Sequence, residues 1–274
     1  MLDLFEIART NAPLLAQRLE DVKAMKAPGD VALLERFSNR VQQHSRVAIN
    51  MRTSDLSDLL LRGRYYNIYE WSQEQAAISR RPVNAIQRER LGPYFEKRMA
   101  LDGAFVDGQT FRYGMLNLGG AGPIEWGQFC AVLKAEFAES ASRLAYVRGD
   151  SLNTYSDSSG NIDVSGVTRD AALHSSRHAL AAIKHADVVF STPEPEWPGL
   201  LCSNSDYIEA IIGVHVTSDS VGEVRITHDE KKTLWDLAFA DFGRKLEPGE
   251  RALTHDFATI LRETSARGIS ILEV

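Results

Sequence analysis

The chain has 274 residues, of which 44% are hydrophobic and 25% charged, a composition typical of globular proteins. Its formal net charge of −6 argues against binding to nucleic acid or to a membrane surface, because both carry negative charge and attract basic proteins. No apolar run reaches the roughly 18 residues of a membrane-spanning helix. The two cysteines, Cys130 and Cys202, leave one disulfide open, but so low a count is typical of a reducing compartment and indicates no zinc site.

The first part of the chain, residues 1–103, is predicted to be helical. Apolar residues recur at helical spacing in two stretches, which contain Leu14, Leu15, Leu19 and Val22, then Val31, Leu34, Phe37 and Val41. Pro28 and Gly29 separate these two helices, and Asp30 is a plausible N-cap of the second. We expect this helical part either to cover a cleft in the rest of the protein or to dock a partner.

The remainder of the first part combines helices with one irregular segment. A third helix is expected near Ser54, and the aromatic stretch "RYYNIYEW" is predicted to be irregular. A further helix is predicted from Val83 to Leu101, bent or interrupted at Gly92 and Pro93. The N-terminus lacks the basic-then-apolar order of a secretory signal, which leaves export without a signal peptide open.

The second part, residues 104–274, is predicted to contain short strands separated by glycine-rich turns. The strand candidates are "TFRYGMLNL", "QFCAVLKAEF", "RLAYVRGDS", "SDYIEAIIGVHV", "GEVRIT" and "GISILEV". Helices are predicted at Thr168 to Ala186, Asp229 to Phe242 and Pro248 to Ala266. Because the strands are not joined by regular helical crossovers, the predicted class is α+β.

Three polar residues lie on or just beyond apolar strands: Arg112, Ser151 and Glu209. Glu209 is the most unusual, because it is the one carboxylate within "YIEAIIGV" and strands disfavour glutamate. Each residue alone has an ordinary structural explanation. Together they provide a planar fork for a pyrophosphate, a hydroxyl that can orient a carboxylate, and a carboxylate that can stabilise an oxocarbenium-like transition state. These are the groups needed to break the bond between nicotinamide and ribose.

The segments "RYGMLNL", "RGDS" and "YIEAIIGVHV", in this order, resemble a family of bacterial Arg-Ser-Glu ADP-ribosyltransferases that was first catalogued as a domain of unknown function. The resemblance extends from about Tyr94 to Val216. It implies an ADP-ribosyltransferase-like catalytic core in which two small antiparallel sheets clasp NAD. It also implies mono-ADP-ribosylation of a protein side chain, with a threonine of ubiquitin as the target in the effector branch, where modification blocks ubiquitination after export into the host cytoplasm.

The resemblance also implies roles for individual residues. Glu209 would be the catalytic glutamate, Arg112 would bind the phosphates or ribose of NAD, and Ser151 would support the cleft. The neighbouring residues expected to contact NAD are Tyr113, Gly114 and Asn117. No metal ligand is expected.

This sequence departs from the family pattern at two positions. Relatives that modify arginine carry a second carboxylate two residues before the catalytic one, where this chain has Tyr207. We therefore expect Tyr207 to line the acceptor side and the acceptor to be a hydroxyl, most readily threonine, and not a guanidinium. The segment Asp150-Ser151-Leu152 retains only one residue of the family's Ser-Thr-Ser segment.

Two other functions remain open from the sequence: a non-catalytic module that binds a protein through the aromatic stretch, and an NAD glycohydrolase that uses water as acceptor. Other candidate residues favour structural roles. His174 and His178 have metal-ligand spacing on a predicted helix but lack the accompanying ligands. Cys130 and His215 are expected to be buried structural residues. The segment "GGAGP" is expected to form a turn, which could border the NAD cleft.

Overall fold

The computed structural model describes residues 1–157, 159–203, 206–240 and 244–274, and it has the α+β architecture predicted from the sequence. The strands are β1 (Arg46–Met51), β2 (Arg112–Asn117), β3 (Phe129–Leu133), β4 (Leu144–Val147), β5 (Ala172–Leu173), β6 (Glu209–Ile212), β7 (Val221–Ile226) and β8 (Ser270–Glu273). They form one sheet in the order β5-β4-β6-β2-β1-β3-β7-β8. All neighbours are antiparallel except β7 and β8.

The single sheet corrects the expectation of two small sheets. Strand β1 comes from the part predicted to be helical, yet it lies between β2 and β3 and pairs with both. It thereby joins β5-β4-β6-β2 to β3-β7-β8. Residues 47 to 51 of β1 are all buried, as expected for a central strand covered on both faces.

The helices lie along the whole chain. They are α1 (Leu4–Ala24), α2 (Pro28–His44), α3 (Thr53–Arg62), α4 (Ile68–Ser79), α5 (Val83–Leu91), α6 (Phe95–Ala104), α7 (Ala135–Ser140), α8 (Ser151–Thr154), α9 (Val164–Asp170), α10 (Arg177–His185), α11 (Trp197–Leu201), α12 (His228–Ala240) and α13 (Pro248–Arg267). Of the helices described, none combines the length and apolar character needed to cross a membrane.

Besides β1, the first part of the chain departs from the sequence prediction in two places. Helix α2 begins at Pro28, so Asp30 lies in its first turn and is not the N-cap; proline suits the first helical position because its φ is already fixed. The aromatic stretch predicted to be irregular contains the start of α4. Asn67 and Glu70 form a reciprocal capping box there, which satisfies the free amides of the helix start.

The predicted interruption of the helix at Gly92 and Pro93 is confirmed. A 3₁₀ turn at Gly92–Tyr94 separates α5 from α6, as expected from the glycine-proline pair.

The second part contains shorter elements than predicted. The segment "QFCAVLKAEF" divides into β3 and α7, and the predicted helix from Thr168 to Ala186 divides into α9, β5 and α10. Strand β6 covers only Glu209–Ile212 of the long predicted strand, whose first residue, Ser205, lies outside the described residues. Helix α12 matches its prediction up to Ala240, and the predicted end at Phe242 also lies outside them.

Candidate functional site

A cavity of about 250 Å³ lies between the aromatic stretch of the first part and strands β2 and β6. Its aromatic lining includes Tyr65, Tyr66, Trp71, Tyr94, Tyr113 and Trp126. Its charged lining consists of Arg52, Asp55, Arg90, Arg98, Arg112, Asp150 and Glu209. Ligand cavities commonly combine such an aromatic wall with a few convergent polar groups. This combination makes the cavity the best candidate for a functional site.

Glu209 lies in the middle of the sheet beside this cavity. It is the first residue of β6 and faces Met115 of β2 on one side and Val147 of β4 on the other. The side chain is buried, and its Oε2 accepts a hydrogen bond from the backbone N–H of Ser151 at 3.0 Å. The sheet and this hydrogen bond therefore hold the carboxyl group in one orientation.

The surroundings of Glu209 favour its protonated form. Burial raises the pKa of Glu209 to about 8; the cation of Arg98 opposes this rise and the negative charge of Asp150 adds to it. A carboxyl group with such a pKa is poised to change its charge near neutral pH, which is common at functional sites. A cationic ligand bound beside it would favour the carboxylate.

Ser151 supports Glu209 through its backbone amide. It begins the short helix α8, whose N-cap is Asp150. Its Oγ is fully buried and has no hydrogen-bond partner among the described residues. The Ser151 hydroxyl nevertheless lies close enough to Glu209 to lower its pKa, so both the amide and the hydroxyl of Ser151 are directed at this carboxyl.

Unpaired buried polar atoms are concentrated around the cavity. Within the described residues five buried side-chain N or O atoms lack a partner, and three of them belong to Asn50, Arg98 and Ser151. Asn50 and Arg98 line the cavity, and Ser151 binds Glu209, which also lines it. Because buried polar groups normally find partners, such a cluster is typical of a site that binds a ligand.

Arg112 occupies a different environment from the one predicted. Its Nε donates to Tyr65 O at 3.0 Å, its Nη1 to Thr110 O at 2.9 Å, and its Nη2 to Glu70 Oε2 at 2.6 Å. Longer contacts join Nη1 to Val214 O and Nη2 to His215 Nδ1. Each nitrogen of the guanidinium is thus engaged within the chain, so binding to a phosphate would require Glu70 or a carbonyl to be displaced.

Strand geometry also separates Arg112 from Glu209. Glu209 is directly opposite Met115, which is three residues from Arg112 along β2. Successive residues of a strand point to opposite faces, so Arg112 and Glu209 point to opposite sides of the sheet. Arg112 contributes to the cavity wall, but its charge is directed toward α4 and not toward the glutamate.

Arg98 is the cation placed near Glu209. Its guanidinium lies flat over the ring of Tyr113, with Cζ 3.4 Å from the ring centroid, and its Nη1 is 3.8 Å from Asp102. Tyr113 and Tyr69 both donate to Asp102, so that carboxylate is shared among three neighbours. Tyr113, which was predicted to contact NAD, therefore lies in the cavity wall, and the guanidinium of Arg98 packs on its ring.

The remaining predicted contacts to NAD differ in position. Gly114 lines the cavity, and a Cβ at this position would overlap with the carbonyl oxygen of Ala48 on the adjacent strand, so only glycine fits. Asn117 lies at the far end of β2 and does not line the cavity. Its side chain binds Gly119 N, Gly120 O and Arg225, which organises the turn after β2. Its contacts are therefore those of a structural residue.

Tyr207, expected on the acceptor side, lines the same cavity as Glu209. Its hydroxyl donates a hydrogen bond to Asp150 Oδ2 at 3.1 Å. The carboxylate of Asp150 therefore lies next to the phenol of Tyr207 in the cavity wall.

The structure also shows the surroundings of the histidines, the cysteines and the glycine-rich segment that the sequence analysis considered. His174 lies in a 3₁₀ turn before α10 and bonds to Tyr146, so the two histidines do not share the predicted helix. His215 is exposed and contacts Arg112, which corrects the expectation of a buried histidine. Cys130 and Cys202 are buried free thiols. The "GGAGP" turn approaches the cavity through Asn50, whose amide donates to Ala121 O.

Sequence reasoning missed Arg98, Asp150 and Asn50. Arg98 ends the segment "YFEKR", at which the family resemblance begins, but nothing in that segment predicts that Arg98 approaches Glu209. An aspartate directly before a serine and a short polar run is typical of an N-cap, so the capping role of Asp150 was predictable but its proximity to Tyr207 was not.

The chain matches no protein-family model, and no curated protein matches it significantly. The proposed function must therefore be argued from the cavity and the residues that line it.

Proposed function

We propose that this protein is a mono-ADP-ribosyltransferase that transfers ADP-ribose from NAD to a hydroxyl side chain of another protein, with a threonine of ubiquitin as the first candidate. The observation that carries this proposal is the buried carboxyl of Glu209, oriented by Ser151 beside an aromatic cavity. The three unpaired buried polar atoms around it support a bound ligand with both donors and acceptors.

The reaction requires a carboxylate at one point. As the bond from the ribose C1′ to the nicotinamide nitrogen breaks, its electron pair leaves with nicotinamide and positive charge develops on the ribose. Glu209 would stabilise that charge through the ribose ring or its hydroxyls. The nicotinamide ring of bound NAD is itself cationic, so NAD binding would promote ionisation of Glu209 before the bond breaks.

The cavity wall suits the two ends of the nicotinamide riboside. Aromatic rings such as those of Tyr65 and Trp71 can stack on a planar heterocycle. The Nη1 donor of Arg98, which makes no hydrogen bond, matches a ribose hydroxyl, and the free acceptor of Asn50 matches the carboxamide. The first part of the chain would cover the cleft, because α3 to α6 and the segment before α4 provide much of its lining.

The second candidate function is a non-catalytic module that binds a small ligand or a protein segment in the same cavity. The occupied donors of Arg112 favour it, because that arginine then has a structural role and is no longer evidence for catalysis. The orientation of Glu209 by Ser151 favours the enzyme.

Ubiquitin incubated with this protein and NAD tests the proposal by intact-mass spectrometry. We expect one added ADP-ribose that fragment spectra place on a hydroxyl side chain and that neutral hydroxylamine does not remove. Modification at arginine would overturn the acceptor class. Free ADP-ribose without adduct would indicate a glycohydrolase, and NAD that is neither bound nor consumed would refute the NAD-dependent function.

A further inference from the structure

Tyr207 and Asp150 form a hydrogen-bonded pair in the wall of the cavity that contains Glu209. The phenol Oη donates to Asp150 Oδ2 at 3.1 Å, and both residues line the cavity. Tyr207 precedes Glu209 by two residues, and Asp150 precedes Ser151, whose amide binds Glu209. The pair is therefore attached to the same two backbone segments that hold the catalytic candidate.

Asp150 is held in a fixed orientation. Its Oδ1 accepts the backbone amides of Leu152 and Asn153 at 2.8 and 3.2 Å, which caps α8. Its Oδ2 accepts the side-chain amide of Asn153 at 3.0 Å in addition to the phenol. The contact with Tyr207 is thus directed by the cap and does not depend on the rotamer of an otherwise free side chain.

Tyr207 remains a proton donor toward Asp150. Burial raises the pKa of its phenol, and the negative charges of Glu209 and Asp150 add to the rise. With its hydrogen directed to Asp150, the phenol oxygen retains a lone pair that can accept a hydrogen bond from a second hydroxyl. A hydroxyl placed there would be connected to a carboxylate through one intervening group.

We propose that Asp150 is the general base of the transfer reaction and that it receives the acceptor's proton through Tyr207. The inference rests on the proposed function and extends it to the second half of the reaction. As the acceptor oxygen forms its bond to the ribose C1′, its proton passes to the oxygen of Tyr207. The phenol proton passes at the same time to Asp150 Oδ2. Nicotinamide leaves with the electron pair of the broken C–N bond, so no oxidant, reductant or further reactant is needed.

This arrangement bears on the acceptor class. A cationic guanidinium is best bound by direct contact with a carboxylate. Here the phenol of Tyr207 occupies Asp150 Oδ2, and a neutral hydroxyl needs only a single acceptor atom in line with the relay. The relay therefore favours threonine or serine over arginine.

Two substitutions test the relay with little change in shape. Asp150→Asn retains capping ability, because asparagine caps helices as well as aspartate does, but it cannot take up the proton. Tyr207→Phe removes only the hydroxyl. Matched controls are Asp163→Asn, at the cap of α9, and Tyr155→Phe, whose hydroxyl donates to Asp170 at the same 3.1 Å; neither Asp163 nor Tyr155 lines the cavity.

The measurement uses NAD with the small alcohol N-acetylthreonine amide, and records NAD affinity by calorimetry and alkyl-ADP-ribose by mass spectrometry. We expect both relay variants to form the product about 100-fold more slowly, a typical general-base contribution, while NAD affinity stays within a few-fold and both controls resemble wild type. Asp150→Asn should also shift the pH midpoint of NAD cleavage downward, because the negative charge of Asp150 raises the pKa of Glu209.

The outcomes separate the relay from the proposed function. Wild-type turnover that is unaffected by either relay variant refutes the relay alone. A loss of product matched by Tyr155→Phe would assign the effect to weakened packing and would also refute it. A wild-type protein that neither binds nor cleaves NAD refutes the proposed function, and the relay fails with it.

Discussion

Two arginines border the same cavity, and they differ in whether every nitrogen of the guanidinium has a hydrogen-bond partner. Arg112, on strand β2, has an intrachain acceptor at each of its three nitrogens. Arg98, on helix α6, rests on the ring of Tyr113, and its buried Nη1 makes no hydrogen bond but lies 3.8 Å from Asp102 Oδ1. Arg112, which belongs to the recognised motif, therefore stabilises the fold, whereas Arg98 retains one donor without a hydrogen bond.

The same comparison extends to their carboxylates. Glu70, paired with Arg112, is a helix-capping residue with a partly exposed side chain. Glu209, close enough to Arg98 for its pKa to be affected, is fully buried in the sheet. A buried carboxyl without a direct ion pair is costly, and such a cost is common where function maintains it.

The strongest test of this contrast is Glu209→Gln, which removes the charge and keeps the shape. We expect NAD turnover to fall by about 100-fold to 1000-fold, as for other losses of transition-state stabilisation. The variant should fold, with circular dichroism and urea unfolding as controls. A matched substitution at Glu70, Glu70→Gln, should leave turnover far less affected.

The same substitution, Glu209→Gln, should lower NAD turnover but should not lower the stability of the fold at pH 8. Because the folded-state pKa of Glu209 is raised to about 8, its contribution to stability is greatest near the ordinary value of 4.5 and declines as pH rises toward 8. Glu209→Gln should remove this decline, so the variant should be at least as stable as wild type at pH 8. Near-normal NAD turnover by the variant would contradict the assignment of Glu209 as catalytic.

The second test is Arg112→Lys, which should act on stability and not on the ligand. Lysine keeps the charge but cannot reach the carbonyls of Tyr65 and Thr110 and also pair with Glu70. We expect the pair with Glu70 to persist and the free energy of unfolding to fall by about 2 kcal/mol, at about 1 kcal/mol for each of the two lost carbonyl hydrogen bonds. NAD affinity measured below the unfolding transition should be unchanged. A selective loss of affinity would restore the role that the motif implies.

The helices and strands show where prediction from the sequence succeeds. Apolar periodicity identified α1, α2, α13 and most strands of the second part, because burial on one helix face or in a sheet leaves a direct pattern. It did not identify β1 as a strand within the helical part, since a short apolar run between helices fits either structure. The expectation of two small sheets came from the family resemblance, whereas in the structure β1 joins the strands into one sheet.

The candidate site was only partly predictable for a related reason. Glu209 was recognisable, because a carboxylate within an apolar strand contradicts local preference. Arg98 and Asp150 satisfy local preference, as a helix residue and a helix cap. Their importance comes from neighbours that are 15 and 57 residues away, Tyr113 and Tyr207, and such proximity has no signature in a single sequence.

The third test is Arg98→Met, which keeps a long apolar side chain over Tyr113 but removes the unpaired donor. Loss of a charge-assisted hydrogen bond to a ligand should weaken NAD binding by about 10-fold to 100-fold in a calorimetric titration. Because Arg98 also pairs with the buried Asp102, the free energy of unfolding should fall as well, so NAD affinity is measured on folded protein. An unchanged NAD affinity would show that Arg98 serves only to stack on Tyr113 and pair with Asp102.

The smallest expected effect concerns pH, and it links Arg98 to Glu209 directly. The reaction needs the carboxylate form of Glu209, whereas burial raises the pKa of the free protein's carboxyl to about 8. Because kcat/KM reports ionisation of the free enzyme, its value for NAD should increase with pH, by about tenfold between pH 7 and pH 9, and then level off. The cation of Arg98 lowers the pKa of Glu209, so Arg98→Met should move the midpoint to higher pH.

The profile of kcat should have a lower midpoint than that of kcat/KM, since the cationic nicotinamide of bound NAD also favours the carboxylate. Steady-state rates across this pH range provide the measurement. A kcat/KM that falls with rising pH would show that Glu209 acts in its protonated form, and the proposed stabilisation of a positive charge by its carboxylate would then be wrong.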